Sequence, residues 1–281
     1  MKKAVFFGAG QIGAMVARLA GTSFTPLCFA DNSPPKWGTE LAGLKILSPG
    51  KALSLQPDCV FLCVLDEERS AQMKAQLLAT GYSGEIIRPD ALTIFDPRCA
   101  MLRLLAEQIN KKNIPGDAAE LGVYKGQFAS AINAAFPCRT LHLFDTFEGF
   151  AGADLAVEHE ERLSKAKPGD FSDTSVELVR SALPCPEKAV FYKGFFPETF
   201  AFCQAESFAF VSIDADLYAP TAAALPLFWE KLSPGGVLMI HDVNSTQFIG
   251  AGKAVDEFCN EKGLLPVPVC DLHGSVIIRK N

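Results

Sequence analysis

The sequence predicts an α/β protein built from two separate parallel sheets, each flanked by helices. Strand and helix signals alternate twice along the chain, once over residues 1–89 and again from about residue 99. In each series a glycine-rich turn follows the first strand, Gly8–Gly13 and Glu120–Gly126, and an acid, Asp31 or Asp145, ends the next strand. At 281 residues the chain has room for two domains.

In the first series, Lys3–Phe7 reads as a strand, Gln11–Leu19 as a helix and Pro26–Ala30 as a second strand. Asp58–Leu65 reads as a buried strand and Glu67–Ala79 as a helix, with Gly84–Ile87 closing the sheet. Prolines and mixed polarity place a linker at residues 90–98. The second domain, 99–281, opens on an amphipathic helix, Cys99–Lys112. Strand Ala118–Leu121, helix Gly126–Ala135 and strand Leu141–Phe144 follow. Strands Ala189–Tyr192, Phe208–Ile213 and Gly236–Ile240, helix Gly252–Lys262, and a closing pair Leu265–Val269 and Ser275–Arg279 complete it. The acidic, loop-rich interruption at 147–187 holds helical pieces at Leu155–Lys165 and Thr174–Ala182, which read as a lid rather than a core layer.

Composition narrows the function classes. An apolar content of 49% with 21% charged residues is globular, and a net charge of -6 without a basic stripe argues against nucleic acid. Small-molecule or glycan partners are the expectation, with a homo-oligomer left open. Nine scattered cysteines, with no CxxC pair, read as buried free thiols in a reducing, cytoplasmic setting. Glycines and Arg18 interrupt the apolar start of the chain, and no run suits a membrane span or a signal peptide.

The turn Gly8-Ala9-Gly10-Gln11-Ile12-Gly13 has the context of a Rossmann dinucleotide fingerprint, strand before and helix after. Asp31 would accept from a ribose; the alternative is a turn of this type that binds nothing. In the second series, Gly122 lets the backbone approach a ligand. The Glu120 carboxylate suits a cationic amino acid, or else caps a helix. Asp145 stands where an acid can take both ribose hydroxyls of an adenosine. Past the strongest apolar strand lie Asp214 and Asp216, which strand alternation would set on one side. His241, Asp242 and Asn244 follow the next strand. Three carboxylates and one imidazole at neighbouring strand ends suit Mg²⁺ or Mn²⁺, the imidazole favouring softer metals; a metal-free loop-capping cluster is the alternative. His142 reads as a buried, hydrogen-bonded histidine, His159 as part of a solvated helix face, and His273 as a turn residue or a neighbour of the site edge.

Residues 100–280 resemble the macrocin O-methyltransferase family of sugar methyltransferases. The resemblance is carried by Glu120–Gly126, Leu143–Gly149, Phe171–Ser175, Asp214–Tyr218 and Leu232–Gly236. It implies a class I methyltransferase fold, a seven-stranded mixed sheet with helices on both faces. It also implies S-adenosylmethionine contacts from Glu120, Gly122, Asp145, Thr146, Ser172 and Asp173. Asp214 and Asp242 are implied as Mg²⁺ ligands and Asp216 as the base. His241 stands where the family often has an aspartate, and we count it with the metal set. Residues 1–89 resemble, at pattern level, the N-terminal domain of bacterial sugar N-acyltransferases, which contacts a nucleotide-sugar, and also NAD-binding folds. That makes Gly8, Gly10, Gly13 and Asp31 candidates for nucleotide binding. The expected activity is methyl transfer to a sugar hydroxyl. Its competitors are a glycosyltransferase using Asp214 and Asp216 on a metal diphosphate, a non-catalytic nucleotide-sugar-binding protein and, for the first domain alone, a dehydrogenase.

Overall fold

The computed structural model describes residues 2–20, 24–88 and 96–281, in two compact units, 1–96 and 97–281. The expected linker, 90–98, lies outside the described residues except for its last three. Among the described residues, no helix is long and apolar enough to cross a membrane.

In the first unit, β1 (Lys2–Phe7), α1 (Gln11–Ala20) and β2 (Phe24–Ala30) form the opening crossover. A hairpin of β3 (Glu40–Leu41) and β4 (Leu44–Leu47) follows, turned by Ala42 and Gly43, both at positive φ. Then come α2 (Pro49–Leu53), β5 (Cys59–Leu62), α3 (Glu67–Ala79) and β6 (Glu85–Ile87). The sheet runs β3-β4-β2-β1-β5-β6, parallel except for β3. Period-2 alternation sends Val5 and Phe7 with Val60 and Leu62 into the core beneath α2 and α3. On the opposite face Phe6 stacks on Phe61, 5.4 Å between centroids, and meets Phe29. The sequence reading missed the hairpin because each arm is only a few residues long.

The second unit begins with α4 (Pro97–Lys111), whose buried Leu102, Leu105, Ala106 and Ile109 recur at helical spacing. The helix starts two residues before the expected Cys99, so Arg98 belongs to its first turn. Next come β7 (Asp117–Leu121), α5 (Gln127–Ala135), β8 (Leu141–Asp145), α6 (Gly152–Glu160), α7 (Val176–Ala182) and β9 (Ala189–Lys193). The chain ends through β10 (Phe208–Ile213), α8 (Tyr218–Lys231), β11 (Leu232–Ile240), α9 (Ile249–Lys262), β12 (Val267–Pro268) and β13 (Val276–Arg279). The sheet order is β12-β13-β11-β10-β7-β8-β9, with β13 antiparallel to both its neighbours and the rest parallel. Every residue of β10 is buried, as befits a central strand covered on both faces. One face packs under α8 and α9, the other under α4, α5 and α7.

One helix has no counterpart in the sequence reading, and one expectation needs correction. Pro220 and Pro226 are unfavourable to a helix in general, yet α8 forms. Pro220 falls in the first turn, where no intrahelical N–H is needed, while burial of Ala224, Leu225 and Phe228 holds the helix across Pro226. The Thr174–Ala182 piece is no lid. Ser175 caps α7 by accepting from the Leu178 N–H, and Val179 is wholly buried against the sheet. Only α6 lies outside the two main layers. It rests on α8 through a small cluster of Leu155, Ala166, Leu217 and Phe248.

Candidate active site

The carboxyl ends of the parallel strands gather the predicted residues of the second unit. The turn after β7 is possible only with glycine: Gly122 has φ +81°, and a Cβ there would lie 1.9 Å from the Asp214 carbonyl oxygen. The β7 and β10 strand ends therefore touch backbone to backbone. Glu120, on β7, is 1% exposed, and its Oε2 has no hydrogen-bond partner. Burial pushes its pKa well above the usual carboxylate range, with Asp214 and Asp145 adding to the push and Arg98 opposing it. A buried carboxylate oxygen without a donor is costly unless a cationic group comes to it. No helix is capped by Glu120.

Asp145 ends β8, as the sequence reading requires, but its carboxylate is already engaged. Oδ2 accepts from the Val123 and Tyr124 N–H groups at 2.6 and 3.0 Å, and Oδ1 from the Phe147 N–H at 2.7 Å. It ties the glycine turn to the strand beside it. With roughly four acceptor sites on a carboxylate, about one remains for a ribose hydroxyl rather than the pair expected. Thr146 closes its own turn, donating to the Gly149 carbonyl and accepting from the Glu148 N–H. Ser172 and Asp173 are exposed. Asp173 accepts from the Tyr124 hydroxyl at 2.7 Å and pairs with Lys125, which brings its loop against the Glu120–Gly126 turn.

The acid cluster lies on the other side of Gly122. Asp214 Oδ1 is 2.8 Å from His241 Nδ1, and Asp242 Oδ2 is 2.7 Å from the same nitrogen. One ring nitrogen thus faces two carboxylates. The candidate ligand atoms of Asp214, His241 and Asp242 all lie within 4.8 Å of one another. Against the burial that would lower it, the two carboxylates push the His241 pKa up to about 10. In return, and despite burial, His241 and Arg98 hold Asp214 well below the usual carboxylate range. Asp216 shifts the opposite way, driven up by burial and by the Asp214 and Asp242 charges. β10 ends at Ile213, so strand alternation does not carry Asp216 to this cluster. A left-handed backbone at φ +59° turns it there instead, and Asp242 also sits at positive φ, +54°.

Sequence reasoning missed Arg98. From α4 its Nη1 reaches Asp214 Oδ2 at 2.9 Å and its Nη2 the Ser212 hydroxyl at 3.2 Å, while the guanidinium lies 3.7 Å from the centre of the Phe128 ring. The only signal was an arginine at a linker's edge. His273 proves to be a site neighbour, its ring centroid 4.8 Å from that of His241. Asp271 fixes its turn by accepting from Gly274, Ser275 and the Ser275 hydroxyl. The expected solvated face of α6 is half right: His159 is exposed, but Glu158 is fully buried and accepts from the Tyr218 N–H at 2.6 Å.

In the first unit the glycines form the expected strand-to-helix turn. A Cβ on Gly13 would fall 2.1 Å from the Gly8 carbonyl oxygen, so the turn closes tightly at the start of α1. Gly10 faces open space. Asp31, however, accepts from the Ala9 N–H at 2.8 Å and the Ser33 N–H at 2.8 Å, and pairs with Lys36 at 3.0 Å. The acid braces the turn, and Lys36 adds a second link by donating to the Ala9 carbonyl.

A seven-stranded sheet in this order, with a glycine turn and a strand-end acid at the carboxyl edge, defines the methyltransferase class of α/β fold. The chain belongs to the macrocin-O-methyltransferase (TylF) family, whose profile matches residues 83–279. It is 29% identical over 153 residues to 8-demethyl-8-(2,3-dimethoxy-alpha-L-rhamnosyl)-tetracenomycin-C 4'-O-methyltransferase of Streptomyces olivaceus, a match spanning 50% of this chain and 58% of that protein. It is 28% identical to mycinamicin III 3''-O-methyltransferase of Micromonospora griseorubida, over 50% of this chain and 60% of that protein. The chain thus spans about three fifths of the length of these curated relatives. Among solved structures, the O-methyltransferase NovP superposes with a TM-score of 0.53 at 23% identity, covering 66% of this chain and 80% of its own. The calicheamicin methyltransferase CalS11 gives 0.52 at 18% identity, over 77% and 94%. Both share the fold.

Proposed function

We propose that the second unit transfers a methyl group from S-adenosylmethionine to a hydroxyl of a sugar, with a divalent cation at Asp214, His241 and Asp242. The observation that carries this reading is the pairing of two unmet demands across Gly122. Glu120 buries a carboxylate oxygen without a partner, and the cluster beyond holds three carboxylates close together. The first suits the ammonium group of the cofactor's amino-acid end; the second suits a cation.

The donor set fits Mg²⁺ or Mn²⁺. Two carboxylates converge on one imidazole nitrogen, where a single proton now stands for a positive charge. When bound, such an ion lowers the pKa of a sugar hydroxyl and fixes its oxygen. The remaining work falls to side chains. Arg98 holds one oxygen of Asp214, so the carboxylate cannot swing. Asp216, its pKa driven up by burial and by the Asp214 and Asp242 charges, is the group to take the proton of the attacking hydroxyl at a carboxylate oxygen. Asp145 keeps the turn in the shape that receives the adenosine, with one acceptor left for its ribose. Thr146, Ser172 and Asp173 would border the cofactor from the same side, and α6, packed on α8 outside the main layers, is the element that would close over the substrate and exclude water. Relatives named as O-methyltransferases of a rhamnosyl-tetracenomycin and of mycinamicin III support a sugar acceptor.

For the first unit we propose a nucleotide or nucleotide-sugar at Gly8–Gly13. The open space at Gly10 leaves room for a phosphate, with Asp31 and Lys36 acting as braces of the turn rather than as ribose ligands.

Calorimetric titration with S-adenosylhomocysteine tests the main reading. Micromolar binding that Glu120→Gln weakens is expected, and absence of heat at millimolar ligand overturns it.

A further inference from the structure

The sheet of the second unit carries a second chemical cluster at its opposite edge, among the amino ends of the strands. Asp117 opens β7, and His142, two residues into β8, projects from the same face of the sheet. His142 is 4% exposed; its Nε2 lies 3.2 Å from Asp117 Oδ2, and its Nδ1 is 2.9 Å from the Tyr192 hydroxyl. An ionised carboxylate only accepts, so Asp117 fixes the proton on Nε2 and leaves Nδ1 as the acceptor. The Cys203 sulfur stands 3.6 Å from that Nδ1. A thiol, an imidazole and a carboxylate thus follow one another within contact distance, with Nδ1 shared between the thiol and the Tyr192 hydroxyl, the kind of arrangement that activates cysteine nucleophiles.

The environment acts on the sulfur accordingly. Burial pushes the Cys28 thiol up to about 11 and raises those of Cys63 and Cys259. Cys203 is buried too, yet its thiol is shifted down: His142 and the Ala205 N–H both stabilise the thiolate and outweigh burial. The cluster borders a cavity of about 770 Å³, lined by Asp117, His142 and Tyr192 and by Phe202 and Gln204, the chain neighbours of Cys203, while Cys203 itself is buried. None of these residues serves the acid cluster at the carboxyl edge.

We propose that Cys203 is a peroxide-reactive thiol, activated by His142 and Asp117, and that its substrates are hydrogen peroxide and small alkyl hydroperoxides entering by this cavity. The thiol passes its proton to His142 Nδ1. The thiolate attacks the terminal peroxide oxygen, so that an S–O bond forms and the O–O bond breaks. The leaving alkoxide or hydroxide recovers the proton from His142. Sulfur is oxidised by two electrons to a sulfenic acid, and the peroxide is reduced by two to an alcohol or water. Tyr192, within hydrogen-bond reach of the same nitrogen, is placed to donate to the departing oxygen.

The test uses the full-length reduced protein, treated with one equivalent of hydrogen peroxide in the presence of dimedone. Peptide mass spectrometry then ranks all nine cysteines. The dimedone adduct is expected on Cys203 roughly tenfold faster than on the exposed Cys138 and Cys270. His142→Gln is expected to bring Cys203 down to the rate of Cys28. Should that variant fail to fold, the wild-type ranking decides alone. Labelling of Cys203 no faster than Cys138 overturns the proposal, and an unchanged rate in folded His142→Gln overturns the activation by histidine.

Discussion

Gly122 and Asp214 meet backbone to backbone, so closely that a methyl group on the glycine would sit 1.9 Å from the aspartate's carbonyl oxygen. The contact joins the candidate cofactor turn to the candidate metal cluster, and neither can move without the other.

Gly122→Ala is therefore expected to damage both at once. The backbone is at φ +81°, and the obstacle is a carbonyl of the central strand region rather than a side chain that could rotate away. A drop in melting temperature of roughly 5–15 °C is expected, with loss of S-adenosylhomocysteine binding. Gly152→Ala supplies the control, since nothing lies within 4 Å of the added atom at the start of α6. It should melt at or slightly above the parent temperature. Equal melting of the two variants would refute the constraint at Gly122.

Arg98→Ala should be among the most destabilising substitutions in the second unit. It leaves the inward-turned Asp214 carboxylate without its guanidinium and exposes the face of Phe128. Removing one partner of a buried ion pair costs about 3–5 kcal/mol. Denaturant unfolding at pH 7 measures it. The loss should shrink in an Arg98→Ala, Asp214→Asn double variant, where the Asp214 charge is gone and His241 keeps Asp242 as its partner.

Acidity should tighten the packing of α6. Burial, with Glu158 adding to it, raises the Asp154 pKa to about 6 in the folded protein, against 3.8 ordinarily. The folded state then binds more protons than the unfolded one between those values. The contribution of Asp154 to stability is thus fully present below pH 4 and is lost as pH rises through 6. Asp154→Asn should raise the melting temperature at pH 7.5 by roughly 2–4 °C and be near neutral at pH 4. A variant that destabilises at pH 7.5 would show that the charged carboxylate is held by a favourable contact.

The sequence and the structure agree most closely where a residue's effect is local. Gly122, Asp145, Asp214 and Asp242 each stand at the end of a buried apolar strand, and the strand with its terminating glycine or acid is visible in one short window. Arg98 was invisible because its partner Asp214 is 116 residues away, and only the packing of α4 brings them together. Helix α8 has no counterpart in the sequence reading, and in it a local helix breaker, Pro226, is overruled by burial that no window reports. The fate of Asp145 is subtler. Its position was legible, but the three backbone N–H groups that occupy it depend on how the glycine turn folds back. The helix face around His159, which includes Glu158, was read as solvated for a similar reason. The charge of Glu158 suggested water, whereas its location beside the first turn of α8 provides a backbone donor instead.

Metal removal separates the two ways in which the acid cluster could work. Asp214, His241 and Asp242 present their ligand atoms within 4.8 Å of one another, and Asp216 hangs beside them with more negative charge around it than it can share. If a divalent ion completes this set, exhaustive chelation should abolish methyl transfer, and Mg²⁺ or Mn²⁺ should restore it. His241→Ala should weaken the restored activity by raising the metal concentration needed. Asp216→Asn, by contrast, should lower turnover about 10²–10⁴-fold at any metal concentration, because a proton acceptor rather than a ligand is lost. Affinity for S-adenosylhomocysteine should stay within about twofold in that variant, since the cofactor turn is built on Glu120, Gly122 and Asp145. Full turnover after chelation, with elemental analysis finding no bound ion, would leave the proton on His241 Nδ1 as the charge that holds Asp214 and Asp242 together, and Asp216 as the base without metal help.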